Sequence, residues 1–322
     1  MSVLLVLLVQ MFFAGALALS LYVPLMAGQL SLASAAFYGI GGYVGALLST
    51  QVFTSTGDYP IVYILIEMAV AAVLCGLLAI AVGYVTLRLR GVYFMLATIA
   101  FVQVMGVIAL NVDILNGAVG IDGIPQPFND QAKYLWFAVP MLILCALFVY
   151  RLEHTRIGRA WVALREDELA ASSMGINPTR YKVLAFVIGA VMAGIIGAVY
   201  AHFLNTWNPG QGTFDFSVSL LAFVLVGGSE TFMGPLIGGL VLTALPEVLH
   251  AIADVPGVPP SLQNFFQTGR FIIYGLLIML SVLFFPKGLL TPSLWRRLFR
   301  RRTSTAPSAA MPISGSTGKP SL

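Results

Sequence analysis

Hydrophobic residues run along this chain in blocks of about twenty, the length of helix that crosses a bilayer core of roughly 30 Å. Short clusters of glycine, proline and charge separate them. The pattern predicts nine spans: Val3–Leu25, Leu32–Phe53, Ile61–Leu87, Val92–Leu110, Leu135–Leu152, Val183–Leu204, Phe216–Gly228, Pro235–Ile252 and Phe271–Phe285. A count of eight to ten fits the same pattern. Leu32–Phe53 is dense in glycine, serine and alanine. Phe216–Gly228 is too short to cross unless its ends meet protein in place of lipid. The expected fold is all-α, a polytopic transmembrane helix bundle over residues 1–289. A basic and then Ser/Thr/Pro/Ala/Gly-rich tail over 290–322 is too polar to bury a core.

The basic residues set the orientation. If the spans alternate, all but Lys133 and Arg270 of the 17 Lys and Arg fall on one side. Asp58, Asp113, Asp122, Asp130, Asp215 and Asp254 fall on the other. Positive loops stay inside, which places the C-terminus in the cytoplasm and the N-terminus outside. Composition agrees, with 9% charged residues, 59% hydrophobic residues and a mean hydropathy of +0.92. Soluble domains carry about 25% charged residues. The net charge of +4 follows this topology. Arg296–Arg302 meeting anionic lipid headgroups accounts for it, without nucleic acid.

One stretch departs from the apolar pattern. Within residues 153–181, Ile157, Ala160, Trp161, Leu164, Glu168 and Ala171 recur at helical spacing, with Arg159, Arg165, Glu166 and Asp167 over the remaining surface. Gly175 and Asn177-Pro178 then stop the helix. This predicts one amphipathic helix on the cytoplasmic side. A solvated interfacial helix and a docking element for a partner both fit it.

Several chemistries are missing from the sequence. It contains no G-x-x-x-x-G-K-[ST] phosphate loop, so the chain is not its own ATPase. His154, His202 and His250 are scattered and Cys75 and Cys145 sit within spans, giving no metal-ligand spacing and no nucleophile–base pair. Enzymatic activity is not expected. Glu67 and Glu247 lie near the outer ends of their spans, where snorkelling or packing explains them better than a proton relay. Gly41-x-x-x-Gly45 and Gly234-x-x-x-Gly238 permit close helix approach. The same glycines can also mark broken helices around a solute path.

Five segments, in order, resemble one family. "RIGRAWVALREDELAASSMGINPTRYKVLAF" (Arg156–Phe186) is similar to the cytoplasmic loop of permease subunits of bacterial branched-chain amino acid ABC transporters, LivM type. "AGQLSLASAAFYGIGGYVGALL" (Ala27–Leu48) resembles that family's early Gly-rich segment, and "LRLRGVYFMLATIAF" (Leu87–Phe101) its LRLRG-Y element. "GGSETFMGPLIGG" (Gly227–Gly239) resembles its GG…GP turn, and "FFPKGL" (Phe284–Leu289) its C-terminal stop. The outer loop "NGAVGIDGIP" (Asn116–Pro125) departs from the family's usual TGG-NG, which leaves the substrate open.

The resemblance implies the permease subunit of an ATP-driven importer for branched-chain or related amino acids in the bacterial cytoplasmic membrane. It implies alternating access, a homologous second permease, two ABC ATPase subunits and a periplasmic substrate-binding protein. ATP would bind those partner subunits, leaving this chain with no cofactor of its own. Contact with the ATPase is expected from Arg156, Arg159, Arg165, Glu166, Asp167, Glu168 and Gly175. The pathway is expected at Gly39, Gly41, Gly42, Tyr93, Thr98, Gln103, Gly227 and Gly228. A permease for urea, amides or other small organic solutes, or a gradient-driven secondary transporter, remains the alternative.

Overall fold

The computed structural model describes residues 2–53, 59–89, 91–128 and 130–253, with five helical positions between 275 and 283. The expected span Phe271–Phe285 therefore lies largely outside the described residues, as do Arg90, the basic cluster Arg296–Arg302 and the tail. Among the described residues up to 253, ten α-helices run in order: α1 (Ser2–Met26), α2 (Ser34–Leu47), α3 (Ile61–Thr86), α4 (Val92–Asn111), α5 (Leu135–His154), α6 (Arg156–Glu166), α7 (Glu168–Ser173), α8 (Pro178–Leu204), α9 (Phe214–Gly227) and α10 (Met233–Ala253). A two-residue antiparallel pair, β1 (Ile121–Asp122) and β2 (Thr206–Trp207), joins two loops at one end of the bundle.

Among the described residues, α1, α3, α4, α5 and α8 are long and apolar enough to cross a membrane. α2 and α9 have 14 residues each, about 21 Å at 1.5 Å per residue. A π-helical turn, Leu48–Val52, lengthens α2. Neither short helix has to present bare ends to lipid, because both are packed among longer neighbours.

α8 is the centre of the bundle. It packs against α1, α2 and α3, and 61% of its most apolar window is buried, against 28% for α3 and α4 and 22% for α5. The outer helices instead expose aliphatic rows such as Val62, Val73 and Leu77 on α3, as lipid-facing surfaces require. Small residues bring the inner helices together. A Cβ on Gly41 of α2 would fall 2.0 Å from the Gly194 carbonyl oxygen of α8, and one on Gly197 would fall 2.1 Å from that of Tyr38. α9 and α10 meet in the same way through Gly227 and Gly234. The glycine motifs are thus helix-crossing contacts, and α2 runs unbroken from Ser34 to Leu47.

The helices alternate in direction as the basic residues require. Arg88, Arg151, Arg156, Arg159, Arg165, Arg180 and Lys182 lie at the end where α1, α3, α5 and α9 finish. Asp113, Asp122, Asp130 and Asp215 belong to the opposite end. There Trp207 is completely buried, donates its indole N–H to the Gly39 carbonyl at 3.0 Å and packs edge-on to Tyr38.

Candidate functional site

The basic end is capped by α6 and α7, and here the structure corrects one expectation. The amphipathic stretch is two helices, not one. Asp167 takes an extended conformation (φ −152°, ψ 108°), and its carboxylate accepts from the backbone N–H groups of Leu169 and Ala170 at 2.9 and 3.0 Å. A short acidic side chain satisfies the free N–H groups of a helix start, so α6 stops at Glu166 and α7 begins at Glu168. The Schellman closure that follows has Ile176 N–H on the Ala171 carbonyl and Gly175 N–H on that of Ser172, with Gly175 at φ +85°. Asn177 then caps α8 through Arg180 N–H, with Pro178 in its first turn.

The α6–α7 element is fastened to three parts of the bundle. On the α8 side, Trp161, fully buried, donates to the Tyr181 carbonyl at 2.8 Å, and Lys182 pairs with Glu168 at 2.8 Å. Towards the α9–α10 turn, Arg165 donates to the Ser229 carbonyl at 3.0 Å. Against the end of α1, the Arg165 backbone packs on Gly28, where a Cβ would meet Arg165 Cα at 3.2 Å. Gly28 sits at φ +74° in the turn that closes α1. Next to this, Glu153 at the foot of α5 accepts from Tyr22 Oη (2.7 Å) and Phe232 N–H (2.9 Å), joining α1, α5 and the start of α10.

Among the described residues nothing packs on the opposite face of α6–α7. Arg156, Arg159, Glu166 and Asp167 are exposed there, and so are Val162, Leu169 and Met174, the last at 84%. Apolar residues ringed by charge are the composition of a protein-binding surface.

The residues expected along a solute path are scattered. Gly41, Gly42, Gly227 and Gly228 lie in helix crossings or the turn that follows one. Tyr93 and Gln103 are exposed on α4. Thr98 is buried, accepting from Leu32 N–H at 3.1 Å and donating to the Met95 carbonyl at 2.7 Å. Gly39 borders a small pocket of about 150 Å³ between α2 and α4.

A cavity that mixes polar and aromatic walls lies elsewhere among the described residues. It has a volume of about 350 Å³, between α1, α9 and α10, and is bordered by Gln10, Tyr38, Tyr200, Gln211, Ser219 and Thr243. None of these stood out in the sequence, because single polar residues within apolar helices carry no spacing signal.

Of the two roles expected for Glu67, snorkelling and packing, the structure shows the second. Its side chain is fully buried against His202 of α8 and accepts from the Tyr59 hydroxyl. Burial and this hydrogen bond both push the Tyr59 phenol above its ordinary range, so it stays a donor.

A bundle of antiparallel helices, five of them long and apolar enough to cross a membrane among the described residues, with a separately capped helical element fastened across one end, is the architecture of a polytopic membrane protein. The chain belongs to the family of permease components of branched-chain amino acid transport systems, whose profile matches residues 3–279. It is 29% identical over 295 residues to the high-affinity branched-chain amino acid transport system permease protein LivM of Escherichia coli K12, covering 82% of this chain and 64% of that protein. It therefore spans a little under two thirds of that relative's length. Shorter matches include the permease protein LivH of Salmonella typhimurium, 32% identical over 48% of this chain and 46% of the relative. BraD of Pseudomonas aeruginosa is 31% identical over 49% of this chain and 47% of the relative. No solved structure matches the chain.

Proposed function

We propose that this chain is the membrane-spanning permease subunit of an ATP-driven importer for branched-chain or related amino acids in the bacterial cytoplasmic membrane, with the basic end of the bundle in the cytoplasm. The observation that carries the reading is the fastening of α6–α7. An element tied to α1, α8 and the α9–α10 turn can move three parts of the bundle together when pushed from its exposed face. That is what a motor acting from outside the membrane needs in order to switch a pathway between two states. Family membership supports two ABC ATPase subunits, a homologous permease and a periplasmic binding protein as partners. The solute path is assigned to the cavity between α1, α9 and α10. Its neutral polar and aromatic walls suit a small zwitterion held weakly, its recognition left to a separate protein.

The test is purification in mild detergent followed by uptake into proteoliposomes. Co-purification of P-loop ATPases, and leucine uptake that needs enclosed ATP and an added binding protein, support the reading. A protein that purifies alone, beside a control complex that stays assembled, overturns it.

The buried Glu67–His202 pair favours one second reading, a gradient-driven carrier, because ionisable groups inside a membrane mark ion pathways. Uptake that survives ATP depletion and is abolished by an uncoupler would select it.

A further inference from the structure

Between α8 and α9 the chain turns back into the bundle. Trp207, at the outer end, lies against Gly42 of α2, and the 3₁₀ turn Pro209–Gly212 that follows lies deeper. A Cβ on Gly39 would meet Gly212 Cα at 3.3 Å, and one on Gly212 would meet the Ala35 carbonyl oxygen at 3.2 Å. Gly39 stands eight residues before Leu47, the outward end of α2, which is about 12 Å of helix. α9 therefore starts well inside the outer end and runs from there to the basic end. Thr213 caps it, its hydroxyl accepting from Phe216 N–H at 3.4 Å. The second residue of α9 is Asp215, and it is exposed. A carboxylate at that depth is too costly to face lipid and belongs beside water or protein. Ser219 follows four residues later, donates its hydroxyl to the Asp215 backbone carbonyl at 3.0 Å and borders the cavity of about 350 Å³ between α1, α9 and α10. Residues four apart share a helix face, so Asp215 stands one turn outward of a wall residue, at the outer mouth of that cavity. The described residues that line the cavity carry no charge.

We propose that Asp215 binds the ammonium group of an α-amino acid entering this cavity from the outer side, and so selects solutes that carry a protonated amine. It is a specificity-determining residue of the path, and it rests on the permease reading above, which assigns the path to this cavity. The carboxylate meets the ammonium at the mouth, and an apolar side chain passes inward onto Phe13, Phe216 and Phe223. An acid in the first turn of a helix also steadies the helix dipole. That role shows in stability and leaves charge selection at the mouth unchanged.

The experiment uses the full-length chain with its co-purifying subunits in lipid nanodiscs and carries Ser219→Cys as a reporter. The natural sequence supplies the background from Cys75 and Cys145. Labelling is timed with a cationic and an anionic methanethiosulfonate of similar size, each corrected for its reactivity with a free thiol. The cationic reagent should label about tenfold faster, as a carboxylate at the mouth steers it in. Asp215→Asn should bring the two rates together, and Asp215→Glu, which keeps the charge, should keep the preference. Leucine should slow labelling, 4-methyl-2-oxopentanoate, the same skeleton without the ammonium, should not, and Asp215→Asn should lose the protection by leucine. A reporter that reacts with neither reagent overturns the proposal. So does a charge preference or a leucine protection that is unchanged in Asp215→Asn. ATP-driven leucine uptake by the natural sequence is measured in parallel. Uptake with labelling indifferent to Asp215 removes only this site, whereas Asp215-dependent labelling without ATP-driven uptake removes the permease reading and leaves the site.

Discussion

His202 Nε2 of α8 lies 2.5 Å from Glu67 Oε2 of α3, and both side chains are completely buried. Backbone and hydroxyl partners hold the pair in place. His202 Nδ1 meets the Pro125 carbonyl at 2.8 Å, and the Tyr59 hydroxyl donates to the other Glu67 oxygen. The pair therefore links α3, α8 and the loops on either side at the end opposite α6–α7. Removing one member leaves the other buried without its partner, which costs about 3–5 kcal/mol. His202→Ala should lower the thermal unfolding midpoint in detergent markedly. The double replacement Glu67→Leu with His202→Leu should recover part of the loss, and an equal or greater loss would contradict the pairing.

Close helix approach makes a second expectation. A Cβ on Gly42 would sit 2.0 Å from Trp207 ring atoms, and that indole is held by the Gly39 carbonyl. Gly42→Ala should destabilise by about 1–3 kcal/mol, the usual cost of overpacking. Gly106→Ala on α4, with open space at its Cβ among the described residues, is the matched control. It should leave detergent stability unchanged or slightly raised.

Transmission through α6–α7 can be separated from folding. Glu166 is exposed on the free face, so Glu166→Lys should abolish ATP-driven uptake while membrane insertion and melting stay normal. Gly175→Pro replaces a residue at φ +85° with one locked near −65° and removes the N–H that closes α7 on Ser172. It should abolish uptake by misdirecting the element. Normal uptake in both variants would remove the coupling role.

The break at Asp167 has its own measurement. Asp167→Ala deletes the cap on α7, at a cost of about 0.5–2 kcal/mol, local to that helix. Hydrogen exchange of residues 168–173 should rise while α8 stays protected. Asp167→Asn, which still caps, should remain close to the natural sequence.

The face Ile157, Ala160, Trp161, Leu164 and Ala171 was legible because helical spacing survives a break of one residue. The break itself was not, since an acidic run on an amphipathic helix reads equally well as solvated surface. The glycine clusters were visible too, yet periodicity could not decide between crossing and unwinding. For the cluster in α2 that depended on Gly194, Gly197 and Trp207, more than 150 positions further along the chain.

Length and hydropathy dictate the spans and the sides on which they turn, because the cost of burying charge and unpaired backbone in lipid acts on each segment by itself. The caps at Thr155, Asn177 and Thr213 are similarly local, each needing only the next few N–H groups. Partnership is different. Glu67 becomes a buried link rather than a snorkelling acid only when α8 brings His202 beside it, 135 residues away. Trp207 becomes an anchor for α2 only when the fold brings the Gly39 carbonyl to its indole N–H. These are properties of surfaces that meet on folding, and segment energetics cannot contain them.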